Sequence, residues 1–401
     1  MNKLWNASFI AACVGNCLLF FAFYLLLPIL PLYLIDTFAA SKSLVGMILS
    51  CYTVAAMLVR PFSGYMLDHF SRKPIYLIAY FSFMLVFIGY AEAQFIAVFV
   101  FMRFLHGLTF GLVSTAGNTL VIDVIPAQRR GEGIGYFGVA NNIAMSVGPM
   151  ISLFLVQDYS YRTIFYFALA IGLVGFCFAY SIKVPKKEVE PIEEQKPLHS
   201  LDRFFLVEGF RAGVCLLLLA IPYAMTTSYI AIYGRQIGIE NGMGAFFSIM
   251  AVGLIFSRLF AGKQIDKGRL TTIVTWGNVI VCIAFLLLSG LLFTYTQLPH
   301  LAIVIFYVIP AMLGMGYGMI FPSFNTLFVN LAPNNRRATA SSTFLTSWDL
   351  GIGIGLVLGG RIADSLGGLP LSYFVGSVSA IISVLLFVKI AGPHFNKNKL
   401  R

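Results

Sequence analysis

Long apolar blocks alternate with short polar turns along the whole of this chain. The blocks Phe9 to Tyr33, Ile96 to Leu120 and Leu301 to Phe328 each exceed the roughly 20 residues that a helix needs to cross membrane hydrocarbon. The pattern predicts twelve transmembrane helices, near residues 7–33, 43–67, 74–92, 95–124, 131–156, 162–182, 204–232, 242–263, 271–294, 301–331, 337–361 and 370–391.

Composition supports a membrane protein. Of the 401 residues, 59% are hydrophobic and 11% are charged, whereas roughly 25% are charged in an ordinary soluble domain. All six cysteines fall inside apolar blocks without metal-ligand spacing, so we interpret them as packing residues. The first apolar block is longer than a signal-peptide core and no small-residue cleavage site follows it, which favours a first helix.

The positive charges are distributed unevenly between the predicted loops. With both termini on one side, eighteen Lys and Arg residues fall on that side, and only Lys42, Arg162, Arg235 and Arg361 fall on the other. The positive-inside rule therefore predicts a multi-pass inner-membrane protein with both termini in the cytoplasm. The net charge of +11 is explained by this topology and by contact with membrane lipids, and it does not indicate nucleic-acid binding.

The chain contains an internal repeat. At an offset of 207 residues, Gly107, Gly111, Asn118 and Gly148 align with Gly314, Gly318, Asn325 and Gly355. At the same offset, identical residues also stand opposite Thr119, Leu120, Pro126, Arg129 and Arg130. The repeat predicts an all-α fold of two pseudo-symmetric six-helix bundles, residues 1–182 and 204–401, joined by a cytoplasmic linker over 183–203. A substrate site is expected between the bundles, near the middle of the membrane.

Several motifs resemble those of the major facilitator superfamily across the whole chain. The turn after the second predicted helix reads GYMLDHFSRK at 64–73, a second copy reads GKQIDKGR at 262–269, and RFLHGLTFG lies at 103–111. Two prolines in the first helix, Pro28 and Pro31, resemble the twelve-helix drug:proton antiporter branch. The fifth helix departs from that branch, because Gly148 and Pro149 are followed by Met-Ile-Ser-Leu and not by the usual glycine pair.

The resemblance implies a gating latch at the ends of the helices, in which Asp123 joins Asp68 and Arg72 in an ion cluster that must break during transport. The residues assigned to this gating role are Gly64, Asp68, Arg72, Lys73, Asp123, Gly148, Pro149, Gly262 and Asp266.

Three ionisable residues are candidates for proton coupling. Asp349 is the deepest acid in the predicted helices, and burial makes a carboxyl group easier to protonate. Arg103 shares a helix face with His106 and is implied by the resemblance to act in coupling or substrate binding. The alternatives are an Asp349 that is permanently paired or that simply faces a water-filled cavity, an Arg103 bonded to backbone carbonyls, and a packed neutral His106.

Polar and aromatic residues at mid-membrane depth are candidates for the substrate cavity. They are Phe20, Phe23, Tyr24, Tyr52, Asn118, Asn141, Asn142, Tyr229, Asn325 and Trp348. An aromatic, mostly uncharged cavity suits amphipathic or weakly cationic molecules, and Arg103 adds tolerance for anions.

These features favour a secondary transporter that exports a drug-like compound or metabolite against protons by alternating access. A proton symporter importing a small metabolite or nutrient is the alternative, and a lipid-flipping or sensing protein on the same scaffold is a third. The sequence has no ATP-binding P-loop, no H-E-x-x-H and no catalytic Ser/His/Asp set, so neither an enzyme nor a cofactor is expected. We expect a monomer whose partners are a small-molecule substrate, protons and lipids.

Overall fold

The computed structural model describes residues 4–126, 130–184, 205–239, 243–332, 337–365 and 367–400. Almost all of the predicted linker 183–203 lies outside these residues, as do the side chains of Asp68, Asn142 and Asp266.

The first seven helices follow one another with short turns. Their bounds are α1 Ala7–Leu26, α2 Ile29–Phe38, α3 Lys42–His69, α4 Arg72–Ala91, α5 Ile96–Val124, α6 Arg130–Asp158 and α7 Tyr161–Ser181.

Seven further helices follow a single 3₁₀ turn at Val207–Gly209. Their bounds are α8 Phe210–Gln236, α9 Met243–Asp266, α10 Leu270–Gln297, α11 Pro299–Leu331, α12 Arg337–Ala363, α13 Gly368–Leu386 and α14 Gly392–Asn398.

Twelve stretches in the described part of the chain are long and apolar enough to cross a membrane. Large apolar side chains on them remain exposed to the surroundings, including Ile78, Phe256 and Phe293 at 67, 69 and 73%. Such surfaces are stable against lipid and costly against water. The predicted all-helical fold with twelve membrane spans is confirmed.

The first predicted helix is divided in two at a proline. Pro28 has no N–H to donate to the carbonyl of Tyr24, and that carbonyl accepts from the backbone N–H of Leu27 at 3.3 Å instead. Pro31 lies in the first turn of α2, where a missing N–H costs little. The helical chain therefore continues to Phe38, beyond the predicted end at residue 33.

The last predicted helix continues beyond its expected end at residue 391. A π-helical turn at Phe387–Ala391 joins α13 to α14, and the N–H of Gly392 donates to the carbonyl of Phe387, five residues back. This wider turn precedes Pro393, which has no N–H of its own.

The described chain forms two compact units. One comprises Met1–Tyr33 with Cys51–Lys196, and the other comprises Leu34–Ser50 with Pro197–Arg401. In the first unit α1 packs on α6 and α7, and α4 packs on α5 and α7. In the second, α8 packs on α12 and α13, and α10 packs on α11 and α13. The same pairing recurs in each unit, as a duplicated sequence requires, while the predicted domain boundaries stay a prediction.

Repeated glycines allow close helix contact within each unit. A side chain on Gly107 of α5 would overlap the Tyr52 carbonyl oxygen of α3, and one on Gly314 of α11 would overlap the Met250 carbonyl oxygen of α9. Small residues at these positions therefore let the helices pack closely in both units.

Candidate functional site

The turn between α3 and α4 carries an ion pair that closes on the end of α5. Nη1 of Arg72 donates to both carboxylate oxygens of Asp123 at 2.8 Å, and its Nε donates to the Leu67 carbonyl at 3.1 Å. The two side chains are 21 and 17% exposed, so solvent screening is reduced. The backbone bond to Leu67 fixes the guanidinium on the turn. Two of the three residues of the expected ion cluster are therefore in contact.

Other residues with a predicted gating role have different surroundings. The Lys73 ammonium lies 5.4 Å from the ring centre of Tyr180. A Cβ on Gly148 would come within 2.9 Å of the backbone nitrogen of Leu25, so α6 approaches α1 closely just before the break at Pro28. Their part in gating stays a prediction.

The remaining gating candidates lie in α3, α6 and α9. Pro149 lies inside α6 and its carbonyl accepts from the Ser152 hydroxyl at 3.0 Å. Gly64 lies in α3, and the space around Gly262 in α9 is open.

A buried polar cluster lies in the first unit between α3, α4 and α5. Arg103 is 2% exposed and His106 is fully buried, one helical turn apart on α5. The Arg103 guanidinium carbon lies 4.6 Å from the ring centre of Tyr52, a cation–π contact. Nδ1 of His106 lies 2.9 Å from the Tyr90 hydroxyl. The expected shared face of Arg103 and His106 is thus part of a larger cluster.

Aromatic rings surround this polar cluster. Phe23 stacks on Phe110 at 4.8 Å and on Tyr52 at 5.2 Å, and Phe83 lies 4.4 Å from the His106 ring. Phe20 contacts Phe110 edge-on at 5.5 Å. The expected aromatic residues of this half therefore form one group, in which a charge is poorly screened.

The polar cavity candidates of the first unit are less clearly grouped. Tyr24 is half-buried between Phe20 and Phe23. Asn118 is exposed on α5, and Asn141 is half-buried on α6 with its Oδ1 shielded from solvent. Their assignment to a substrate path stays a prediction.

In the second unit, Trp348 is the centre of an aromatic group. Its ring lies 4.9 Å from that of Tyr223, 6.2 Å from Tyr317 and 5.1 Å from Phe321, and it is 7% exposed. Asp349 follows Trp348 in the chain, half-buried in the middle of α12, with its Oδ2 shielded from solvent. The predicted coupling acid therefore lies inside a membrane span, next in the chain to the tryptophan at the centre of this aromatic group.

The other two candidates of the second unit differ from Trp348. Tyr229 is fully buried and its hydroxyl donates to the Leu356 carbonyl of α12 at 2.8 Å, with Gly359 and Gly360 against its ring and hydroxyl. Asn325 is exposed on α11. A cavity role for either residue stays a prediction.

Three tyrosines of these clusters were missed by the sequence analysis. Tyr90, Tyr223 and Tyr317 are buried at helix interfaces, and Tyr317 donates its hydroxyl to the Leu219 carbonyl at 3.1 Å. A tyrosine in an apolar helix is the available signal, because a buried hydroxyl needs a polar partner. Among the described residues, no group of three His, Cys, Asp or Glu side chains is placed to hold a metal ion.

Comparisons with known proteins cover nearly the whole chain. It is 25% identical over 382 residues to the quinolone resistance protein NorA of Staphylococcus aureus (strain MRSA252), covering 92% of this chain and 93% of that protein. It is 22% identical over 370 residues to the staphylopine export protein of Staphylococcus aureus (strain Mu50 / ATCC 700699), covering 88% of this chain and 89% of that protein.

Solved transporter structures share the fold at low sequence identity. A D-xylose-proton symporter superposes with a TM-score of 0.76 at 16% identity, covering 96% of this chain and 98% of the other. A bacterial homolog of the human lysosomal transporter Spinster superposes with a TM-score of 0.78 at 13% identity, covering 98% of each chain.

A family model described as Major Facilitator Superfamily matches residues 12–356. The match includes the turn that carries Arg72, the buried Arg103 cluster and the aromatic group around Trp348. The resemblance predicted from the sequence is therefore confirmed, as is the expectation that the chain is not an enzyme. This multi-pass membrane protein belongs to the Major Facilitator Superfamily and is a transporter of small molecules.

Proposed function

We propose that this transporter is a proton-coupled antiporter that exports drug-like compounds or metabolites by alternating access. The position of Asp349 carries the coupling part of the proposal. Four acids lie in the twelve described spans, and Asp123, Asp158 and Glu208 each lie within two residues of a span end. Asp349 alone among them is interior to its helix. A carboxyl group there exchanges a proton when transport changes its hydration.

The export direction is supported by the relatives. One is named for quinolone resistance and the other for export of staphylopine, and both align over most of their length. The aromatic groups around Phe23 and Trp348 add support, because flat organic molecules bind well against aromatic rings.

The proposal includes a topology and an oligomeric state. The charge bias of the loops supports an inner-membrane location with both termini in the cytoplasm. A single chain contains both of the repeated units, which supports a monomer as the working form.

The test is transport by purified protein in liposomes that contain a pH-sensitive dye. A fluorescent quinolone and a lipophilic cation are supplied as substrates, and internal pH is followed for wild type, Asp349→Asn and the control Asp158→Asn, whose carboxyl lies exposed at the end of α6. Substrate-driven proton movement is expected for wild type and Asp158→Asn and should be lost in Asp349→Asn.

The sign of the proton movement tests the mechanism. Protons moving opposite to the substrate support the antiporter. Protons moving with the substrate would replace it with the symporter, the alternative favoured by the departure of the sequence after Gly148 and Pro149 from the antiporter motif. Unchanged proton movement in Asp349→Asn would exclude this residue from coupling.

A further inference from the structure

The buried Arg103 of the first unit has hydrogen-bonding capacity that its surroundings do not use. Its Nε and Nη1 are shielded from solvent and find no acceptor among the described residues. A guanidinium stays charged inside a protein, and a buried donor left without an acceptor is energetically unfavourable. This arrangement indicates a missing negative partner.

The neighbouring His106 presents a second unused group. The Tyr90 hydroxyl lies against both the Arg103 guanidinium and Nδ1 of His106. Because a guanidinium can only donate, a tyrosine beside it is best arranged with its oxygen towards Arg103 and its own hydrogen directed to Nδ1. The neutral imidazole then carries its proton on Nε2, which is buried without a partner among the described residues.

The cluster therefore offers N–H donors from two side chains in one apolar setting. The Tyr52 ring contacts both of them, at 4.6 Å from the guanidinium carbon and 5.8 Å from the centre of the imidazole ring. Phe83 and Phe87 pack against the other sides of His106. With aromatic rings in place of water, an anion is held more strongly than it is at a protein surface.

We propose that Arg103 and His106 bind a carboxylate group of the transported molecule, with Tyr90 as the positioning residue that fixes the imidazole tautomer. The carboxylate oxygens accept from the guanidinium and from Nε2–H, which satisfies donors that are otherwise unused. Tyr52, 9% exposed, covers the guanidinium and turns aside when the ligand enters. This inference rests on the proposed transport of organic molecules and defines which of them are preferred.

The test compares two ligands that differ only in the proposed group, a quinolone carboxylic acid and the matching carboxamide. Affinity is measured with the full-length purified protein by ligand fluorescence. Wild type is expected to bind the acid at least about tenfold more tightly than the amide. Arg103→Met should abolish that preference, and His106→Leu and Tyr90→Phe should reduce it.

A second substitution separates a lost donor from a damaged fold. His106→Gln retains an amide N–H near the position of Nε2 and is expected to recover part of the preference lost in His106→Leu. Amide affinity and the unfolding temperature are followed in every variant, because a merely structural role would change both. The proposal would be overturned if wild type bound the acid and the amide with equal affinity, or bound neither. It would also be overturned if the preference for the acid survived in Arg103→Met.

Failure of the carboxylate-binding proposal can be distinguished from failure of the proposed antiport. Preference for the acid is an equilibrium property of the first unit and does not require Asp349. Loss of proton movement in Asp349→Asn with intact acid preference supports both proposals. Absence of any proton coupling in wild type with intact acid preference overturns only the coupling.

Discussion

Asp364 accepts a hydrogen bond at 2.5 Å from the backbone N–H of Ser43, which lies 321 residues earlier in the chain. The same carboxylate accepts from the N–H of Lys42 at 3.0 Å. These two groups begin α3 and have no partner within the helix, so a negative side chain stabilises them as a cap. One acid just after α12 thereby attaches the start of α3 to the C-terminal helices of the second unit.

Removing the Asp364 carboxylate should destabilise the protein. Asp364→Ala is expected to cost about 1 kcal/mol, the usual effect of losing a helix cap. Thermal unfolding in detergent measures the change, with Asp158→Ala as a control for loss of an exposed acid without such a contact. An unfolding temperature equal to that of the control would contradict the capping role.

The ion pair of Arg72 with Asp123 should behave as one interacting unit. Arg72→Gln and Asp123→Asn are each expected to lower the free energy of unfolding by about 2 kcal/mol, because a charge-assisted bond is lost at a partly shielded site. The double variant should cost less than the sum of the two. Chemical denaturation of all four proteins measures the coupling, and simple additivity would show that the pair contributes no mutual energy.

The close contact at Gly107 predicts strong sensitivity to one methyl group. Gly107→Ala should lower stability and transport, because the added carbon overlaps the Tyr52 carbonyl and forces α3 away from α5. Gly290→Ala on α10 is the matched control, since nothing lies within 4 Å of the added carbon. The control should be neutral or slightly stabilising, because alanine favours a helix more than glycine does. Equal behaviour of the two variants would exclude the packing argument.

Acid pH should weaken a contact between the end of α4 and the start of α7. The Glu92 carboxylate accepts from the Tyr166 hydroxyl at 2.5 Å and from Nη2 of Arg162 at 2.5 Å. These bonds, first that from Tyr166 and then that from Arg162, lower the pKa of Glu92. A carboxyl group with a lowered pKa stabilises the fold above its unfolded-state pKa, and the contribution is lost as pH falls through the folded-state pKa.

Glu92→Gln tests this dependence. The difference in unfolding temperature between wild type and Glu92→Gln should be largest near neutral pH, should begin to shrink near the ordinary glutamate pKa of about 4.3, and should disappear once the pH falls below the lowered pKa of Glu92 in the folded protein. Tyr166→Phe removes the first of the two bonds and should reduce the difference. A gap between wild type and Glu92→Gln that is independent of pH would contradict the assignment.

Much of the fold followed from local sequence. The number of spans depends only on the length of each apolar block, and the glycine contacts at Gly107 and Gly314 follow from residue size. The break at Pro28 divides a helix that was predicted to be continuous. The sequence shows where the proline lies, but not whether the helix bends, breaks or continues through it.

The candidate site was only partly predictable. The spacing of Arg103 and His106 put them on one face of a helix, and the family resemblance implied the contact of Arg72 with Asp123. The spacing contained no signal that Tyr90, from the far end of α4, would reach His106.

By itself, the sequence of this protein determined the helical class, the twelve spans and the duplication, because hydrophobic length and repeated residues are properties of the chain alone. Only the tertiary structure decided that Tyr90 bonds His106 beside Arg103, and that Asp364 caps the helix beginning at Lys42. Such contacts depend on how each helix rotates and packs against its neighbours, and helices with apolar residues on every side leave that rotation unspecified.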